Sequence, residues 1–337
     1  MLNKALWMKE FKQTKALIFG LLLLFFFDFP IRVSLSLESW KTLEEQAAIN
    51  PDMYGHPIVN DYMVRSLFFG GFATFLGLIL IVLLAGIMIG SERNTRKNDF
   101  SFALPYKRSD MFLTKWLIGF VTITTLYTIN YFAAYFLVAN SNYSHFLEQF
   151  SHVQLFITPL LGFITLFSFA MLIGTIAGEM ISQMVLTFIF TFFPFGFYFL
   201  LQGFWMVHTN GYLPEPEALT YLVWPIYSID TYSNKPLLIP VVATIIFIII
   251  ATRLYMVNKA EHNGEFLIFK GLQPVFKVGI IVCFSLLGGM LISSLTPYTN
   301  GNILTIVFYW IGFLVFAYLS YRLTTRLFTM NVTVKNK

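Results

Sequence analysis

Cysteine is nearly missing from this chain of 337 residues: Cys283 stands alone inside an apolar run, so no intrachain disulfide can form, and it reads as a small packing residue. Charge is scarce as well, at 12% of residues against 57% hydrophobic, with a mean hydropathy of +0.71. A soluble core of this length could not bury so much apolar surface, which excludes an ordinary soluble globular protein. No GxxxxGK(S/T) phosphate cradle is present, so P-loop nucleotide hydrolysis is excluded, and neither a GxSxG elbow nor an HExxH pair occurs. The five histidines, His56, His145, His152, His208 and His262, fall in loops or at the ends of apolar runs without metal-ligand spacing. These absences point away from an enzyme, with no catalytic residue, metal or bound cofactor expected.

What the chain does have is apolar runs long enough to cross hydrocarbon, which takes about 20 residues as a helix. Only helices or closed barrels satisfy the backbone in lipid, and runs this long without alternation are helices. Eight are expected: Ala16–Leu35, Ser66–Gly90, Leu117–Val138, Val153–Ala177, Met184–Val207, Pro236–Val257, Phe276–Leu295 and Ile303–Tyr321. The fold class is all-α and polytopic, one membrane domain over 1–337. The basic start (Lys4, Lys9, Lys12, Lys15) runs into bulky Leu and Phe with no small-residue cleavage site, so the first run is a retained span. With the N-terminus inside, only Arg32, Lys41, Arg65 and Lys235 of the 22 Lys/Arg lie outside, which follows the positive-inside rule and places both ends in the cytosol. The net charge of +5 is then a topology signal with attraction to anionic lipid, and calls for no nucleic acid.

The outer segments are modest. Ser36–Arg65 is acidic, and 219–232 is aromatic and half polar, compatible with a surface loop, an interfacial stretch or a segment dipping back into the membrane. Asp28 is the one acid well inside a span. Arg32 four residues on, with Pro30 loosening the helix between them, favours a local ion pair over a role in a substrate or proton path. The third span carries Thr124, Tyr127, Tyr131 and Tyr135 near one face, with Asn130 beside them, which suits either a translocation path or interhelical hydrogen bonding. Gly86-x-x-x-Gly90 and Gly174-x-x-x-Gly178 close the second and fourth spans on the inner side, each followed by an acid, Glu92 or Glu179. Small residues one turn apart permit close helix contact there. Pro194 and Gly196 mark the fifth span for a kink.

Between the second and third spans lies 91–116, SERNTRKNDFSFALPYKRSDMFLTKW, which packs six Lys/Arg, three acids, an apolar helical face and a Leu-Pro break into one loop. A loop that only joins two spans needs none of this; one that docks on a soluble partner and transmits its motion needs most of it. The second inner loop, 258–275, repeats the layout with Glu261, Glu265 and Phe266-Leu267-Ile268, so the two suggest one docking surface.

Glu92-Arg93 at the end of the second span, the apolar stretch through Phe100, Phe102 and Leu104, the break Leu104-Pro105-Tyr106-Lys107-Arg108, and Lys115 before the third span together resemble a permease subunit of the type-2 ABC exporter superfamily. The amphipathic start, 1–15, with Leu6, Trp7 and Phe11 to one side, resembles the interfacial helix that precedes that family's first span. The likeness covers roughly six spans; the two added after the second loop resemble the Gram-positive acetoin-utilisation and peptide-antibiotic resistance permeases. It implies that 91–116 is a coupling loop seated in a cytosolic ABC ATPase subunit, with ATP and Mg bound in that partner. It also implies a second permease copy or paralogue beside this chain, within the lipids of a plasma membrane. Two other classes stay open. A stand-alone secondary transporter or membrane enzyme needs several buried ionisable groups where the spans offer Asp28, and a non-transporting anchor that recruits an ATPase for sensing needs the same docking loop.

Overall fold

The computed structural model describes residues 4–50, 59–95, 105–230, 235–258, 264–296 and 303–329. Among them, eight helical stretches are long and apolar enough to cross a membrane: Lys4–Ile49, Phe72–Asn94, Arg108–Ala139, Val153–Ile176, Met180–Thr209, Leu238–Met256, Lys270–Ser293 and Ile303–Leu327. The protein is an all-α polytopic membrane protein, and these are its first to eighth spans below.

The first span departs most from its expected bounds. The basic start is helical from Lys4 and runs without a break into the apolar stretch, through a π turn at Phe27–Ile31, and on to Ile49. Pro30 has no N–H to donate and would break an α-helical ladder; widening one turn absorbs it. Between Arg32 and Ile49 no Gly or Pro interrupts the helix, and Trp40 and Ala47, two turns apart, bury one face. Tyr143 fastens this extension, its ring edge-on to Trp40 at 5.3 Å and its hydroxyl donating to Glu44 at 3.0 Å. Burial and Glu44 push the Tyr143 hydroxyl up to about 12. Pro194 does not end the fifth span, which stays helical from Met180 to Thr209 and stops at Asn210 in the left-handed region, φ 54°.

The chain divides into two compact units, Met1–Ile89 with Pro105–Leu172 and Trp224–Met256, and Gly90–Leu104 with Ile173–Val223 and Val257–Lys337. The first is filled by rings. Tyr127 lies 5.9 Å from Phe25, 5.3 Å from Phe29 and 5.7 Å from Phe163, and Tyr131 packs 4.9 Å from Phe156. The alternatives left open for 219–232 narrow here. Trp224 packs on Phe247 at 5.5 Å and on Phe169, roughly 16 Å along its helix from Thr158, so this part dips back among the spans. Ser228 anchors it, donating to the Pro159 carbonyl at 3.0 Å and accepting through its own carbonyl from the Gly70 N–H at 3.1 Å.

In the second unit glycines let neighbouring elements approach closely. In the hairpin of the seventh and eighth spans, a Cβ on Gly312 would stand 2.3 Å from the Gly288 carbonyl oxygen, and one on Gly289 would stand 2.6 Å from the Tyr309 ring. Only a residue without a side chain allows such approach.

Candidate functional site

The last turn of a helix leaves carbonyls without intrahelical donors. At the inner end of the second unit Arg93, 2% exposed, fills this need for the fourth span: its guanidinium donates to the carbonyls of Gly174 and Ala177. One residue on, the Asn94 side chain accepts the first N–H of the fifth span, that of Met180, at 3.1 Å. The end of the second span thus caps both helices that meet at Ala177-Gly178-Glu179.

The glycines sit where this geometry is tightest. A Cβ on Gly90 would come 2.5 Å from Met180 Cα and 2.9 Å from Gln183 Oε1, and one on Gly174 would come 2.5 Å from Gln183 Nε2. Two glycines on different helices therefore leave room for one buried glutamine. Gly86 is buried too.

The second inner loop closes on the same turn. Gly264 N–H donates to the Gly178 carbonyl at 3.0 Å, Ile268 N–H to Ile176 at 2.9 Å, and Ala177 and Leu267 pair as an isolated antiparallel bridge. Glu265 enters through its backbone: a Cβ on Gly178 would fall 1.9 Å from its carbonyl oxygen. Gly264, φ 92°, makes the turn that admits this approach. Glu92 and Glu179 are both buried in this cluster, 1% and 4% exposed. Burial raises the Glu179 carboxyl above its ordinary value, opposed by the Ser182 hydroxyl, which donates to it at 3.2 Å.

The rest of the expected coupling set is dispersed. Pro105 and Lys107 are exposed; Arg108 donates to the last carbonyl of the sixth span, Met256, at 3.2 Å. Phe100, Phe102, Leu104 and Glu261 lie outside the described residues. In the first unit Lys115 pairs with Glu10 at 2.8 Å, both 2% exposed, tying the N-terminal helix to the third span. Leu6, Glu10 and Thr14 form the buried face of that helix.

Of the residues considered for a path, Asp28 pairs with Arg32 at 3.5 Å and accepts from Thr74 at 2.7 Å. Arg32 reaches on to the Leu67 and Gly70 carbonyls. Tyr127 and Tyr131 are enclosed, 0% and 1% exposed, and among the described residues their hydroxyls have no hydrogen-bond partner. Asn130 is also buried, donating to Leu126 one turn back; Thr124 and Tyr135 are half-buried.

Sequence reading missed Glu10, Gln183 and the bridge at Ala177. Glu10 and Lys115 carried a usable signal, since a buried position on an otherwise apolar helix face needs an opposite charge; Gln183 carried none.

Similarity to known proteins bears on the class of the chain. No family model matches the chain, and no solved structure does. Two proteins of Bacillus subtilis (strain 168) are distant relatives. Probable ABC transporter permease YtrC is 27% identical over 223 residues, 61% of this chain and 66% of that protein. Probable ABC transporter permease YtrD is 27% identical over 214 residues, 60% of this chain and 63% of that protein. The similarity is to ABC transporter permeases. It spans less than two thirds of each relative's own length.

Proposed function

We propose that this chain is the membrane-spanning permease subunit of an ATP-binding cassette transporter, in the plasma membrane of a Gram-positive bacterium. A small or amphipathic substrate crosses by alternating access, driven by a separate cytosolic ATPase that binds ATP and Mg, with a second permease copy or paralogue completing the pathway. The names of the two relatives support the class. The observation that carries the mechanism is Arg93: at the base of the 91–116 loop, it is bonded to the turn between the fourth and fifth spans, which in turn pairs with 264–268. Force on that loop reaches the turn through the buried Arg93 guanidinium and passes from the turn to 264–268 through backbone contacts. The residues proposed here couple and pack, and none does covalent chemistry.

The test is reconstitution with a candidate cytosolic ABC ATPase. Phe102→Asp or Leu104→Asp places a charge on the apolar face expected to seat in the partner and should abolish co-purification, since a buried aromatic anchor contributes about 2 kcal/mol or more. Lys107→Ala, a rim charge, should do less. Arg93→Ala should keep the complex but uncouple ATP turnover from transport. Intact binding and transport in both aspartate variants would refute the reading.

A further inference from the structure

A cavity of about 400 Å³ lies within the first unit, at the end that the charge distribution places outside. Two cations border it, Arg65 and Lys235, with Gln154 between polar and apolar walls, the latter formed by Phe69, Val153 and Leu237. Among the described residues no carboxylate pairs with Arg65. Its guanidinium lies 5.7 Å from the ring centroids of both Phe69 and Phe150, and its Nε is buried without a hydrogen-bond partner. Lys235, 9% exposed, donates to the Asp230 carbonyl at 2.8 Å and pairs with its carboxylate at 3.2 Å, which leaves one of three ammonium hydrogens. Burial pushes the Lys235 amine below its ordinary range; Asp230 offsets part of this and Arg65 adds to it. Two cations thus border one half-open cavity, and among the described residues the one carboxylate paired with either is that of Asp230, on Lys235.

We propose that this cavity binds an amphiphilic oxyanion, a phosphate or carboxylate head between Arg65 and Lys235 with a short apolar portion against Phe69, Val153 and Leu237. The planar fork of Arg65 suits an oxyanion's paired oxygens, Lys235 adds a point charge, and the mix of apolar wall with few polar groups is that of a small-molecule site. A lipid headgroup and a soluble phosphate or carboxylate offer the same chemistry, and the test separates them. Binding here involves no ATPase, so its failure would leave the permease reading untouched.

Full-length protein in maltoside micelles, titrated with butyl phosphate by calorimetry, is expected to bind it at one site, inorganic phosphate more weakly, and butanol not at all. Arg65→Gln and Lys235→Gln should each weaken butyl phosphate tenfold or more, whereas Lys41→Gln, at an exposed outer lysine, should not. In phosphatidylglycerol nanodiscs the apparent affinity falls by a similar factor where the lipid headgroup takes the site, and holds where a soluble ligand does. Should a glutamine variant fail to fold, Leu237→Trp fills the cavity without touching either charge and should block binding. Absence of butyl phosphate binding in micelles, or unchanged binding in the folded variants, overturns the proposal.

Discussion

Around Tyr127 the first unit joins its helices through rings whose centroids stand 5.3 to 5.9 Å apart, while at Gly90, Gly174 and Gly178 the second leaves no room even for a methyl group. The contrast is one of compliance. A ring contact passes through side chains that can rotate, so a helix can shift by a few tenths of an ångström and be accommodated. At Gly90 and Gly178 the contact sets main chain on main chain, and a displaced helix must carry its neighbour along, while Gly174 closes on the buried Gln183 side chain. Each unit also holds a buried cation: Lys115 in the first, facing the Glu10 carboxylate, and Arg93 in the second, facing helix-end carbonyls.

The largest effect should come from Lys115→Met, which removes the closer cation from the buried Glu10 carboxylate and leaves it the partly exposed Lys9 at 3.6 Å, at a cost of about 3–5 kcal/mol. The double variant Lys115→Met with Glu10→Leu should recover most of it. Unfolding in SDS measures both; a double variant no better than the single would show that the pair does more than neutralise itself.

Next in size are two alanine substitutions that set the units against each other. Gly178→Ala drives a methyl into the Glu265 carbonyl, whereas Gly119→Ala, in the first unit, meets only the far edge of the Phe167 ring, 2.1 Å from its Cβ. The first should cost about 3 kcal/mol and the second about 1 kcal/mol, because a ring can swing aside and backbone cannot. Equal losses would erase the distinction.

Glu179 makes a smaller, pH-dependent difference. Its carboxyl is raised in the folded protein, so the folded state holds more protons than the unfolded one above the ordinary glutamate value of 4.5. Stability should therefore fall as pH rises from there through the raised value, and stay lowered above it. Glu179→Gln should remove that slope and stabilise the protein at neutral pH, as thermal unfolding between pH 4 and 8 would record. An unchanged slope would place the titration elsewhere.

Tyr127→Phe should change least, within about 0.5 kcal/mol or slightly stabilising, because the deleted hydroxyl has no partner to lose. A loss beyond 1 kcal/mol would mean that the ring cluster depends on that oxygen.

Much of this was legible in the chain before any coordinates. The apolar runs showed the spans, the glycine spacing at Gly174 and Gly178 marked a tight helix end, and Arg32 one turn after Asp28 foretold their pairing. Those signals are local: span length, i,i+4 spacing and charge bias are written in consecutive residues. The close approach of Gly288 to Gly312 was not legible, since neither glycine stands in a repeated motif and each gains meaning only from the helix opposite.

The amino-acid sequence by itself determined an all-α membrane chain with eight spans, because hydrocarbon demands internal backbone bonding and about 20 apolar residues per crossing. It also determined which loops are basic. Only the tertiary structure decided that Gln183 fills the notch left by Gly90 and Gly174, that 264–268 pairs with 176–178, and that Trp224 folds back to Phe169 and Phe247. Each contact joins segments that are separated in the chain or meet only across helices, and no periodicity within one segment records the shape of another.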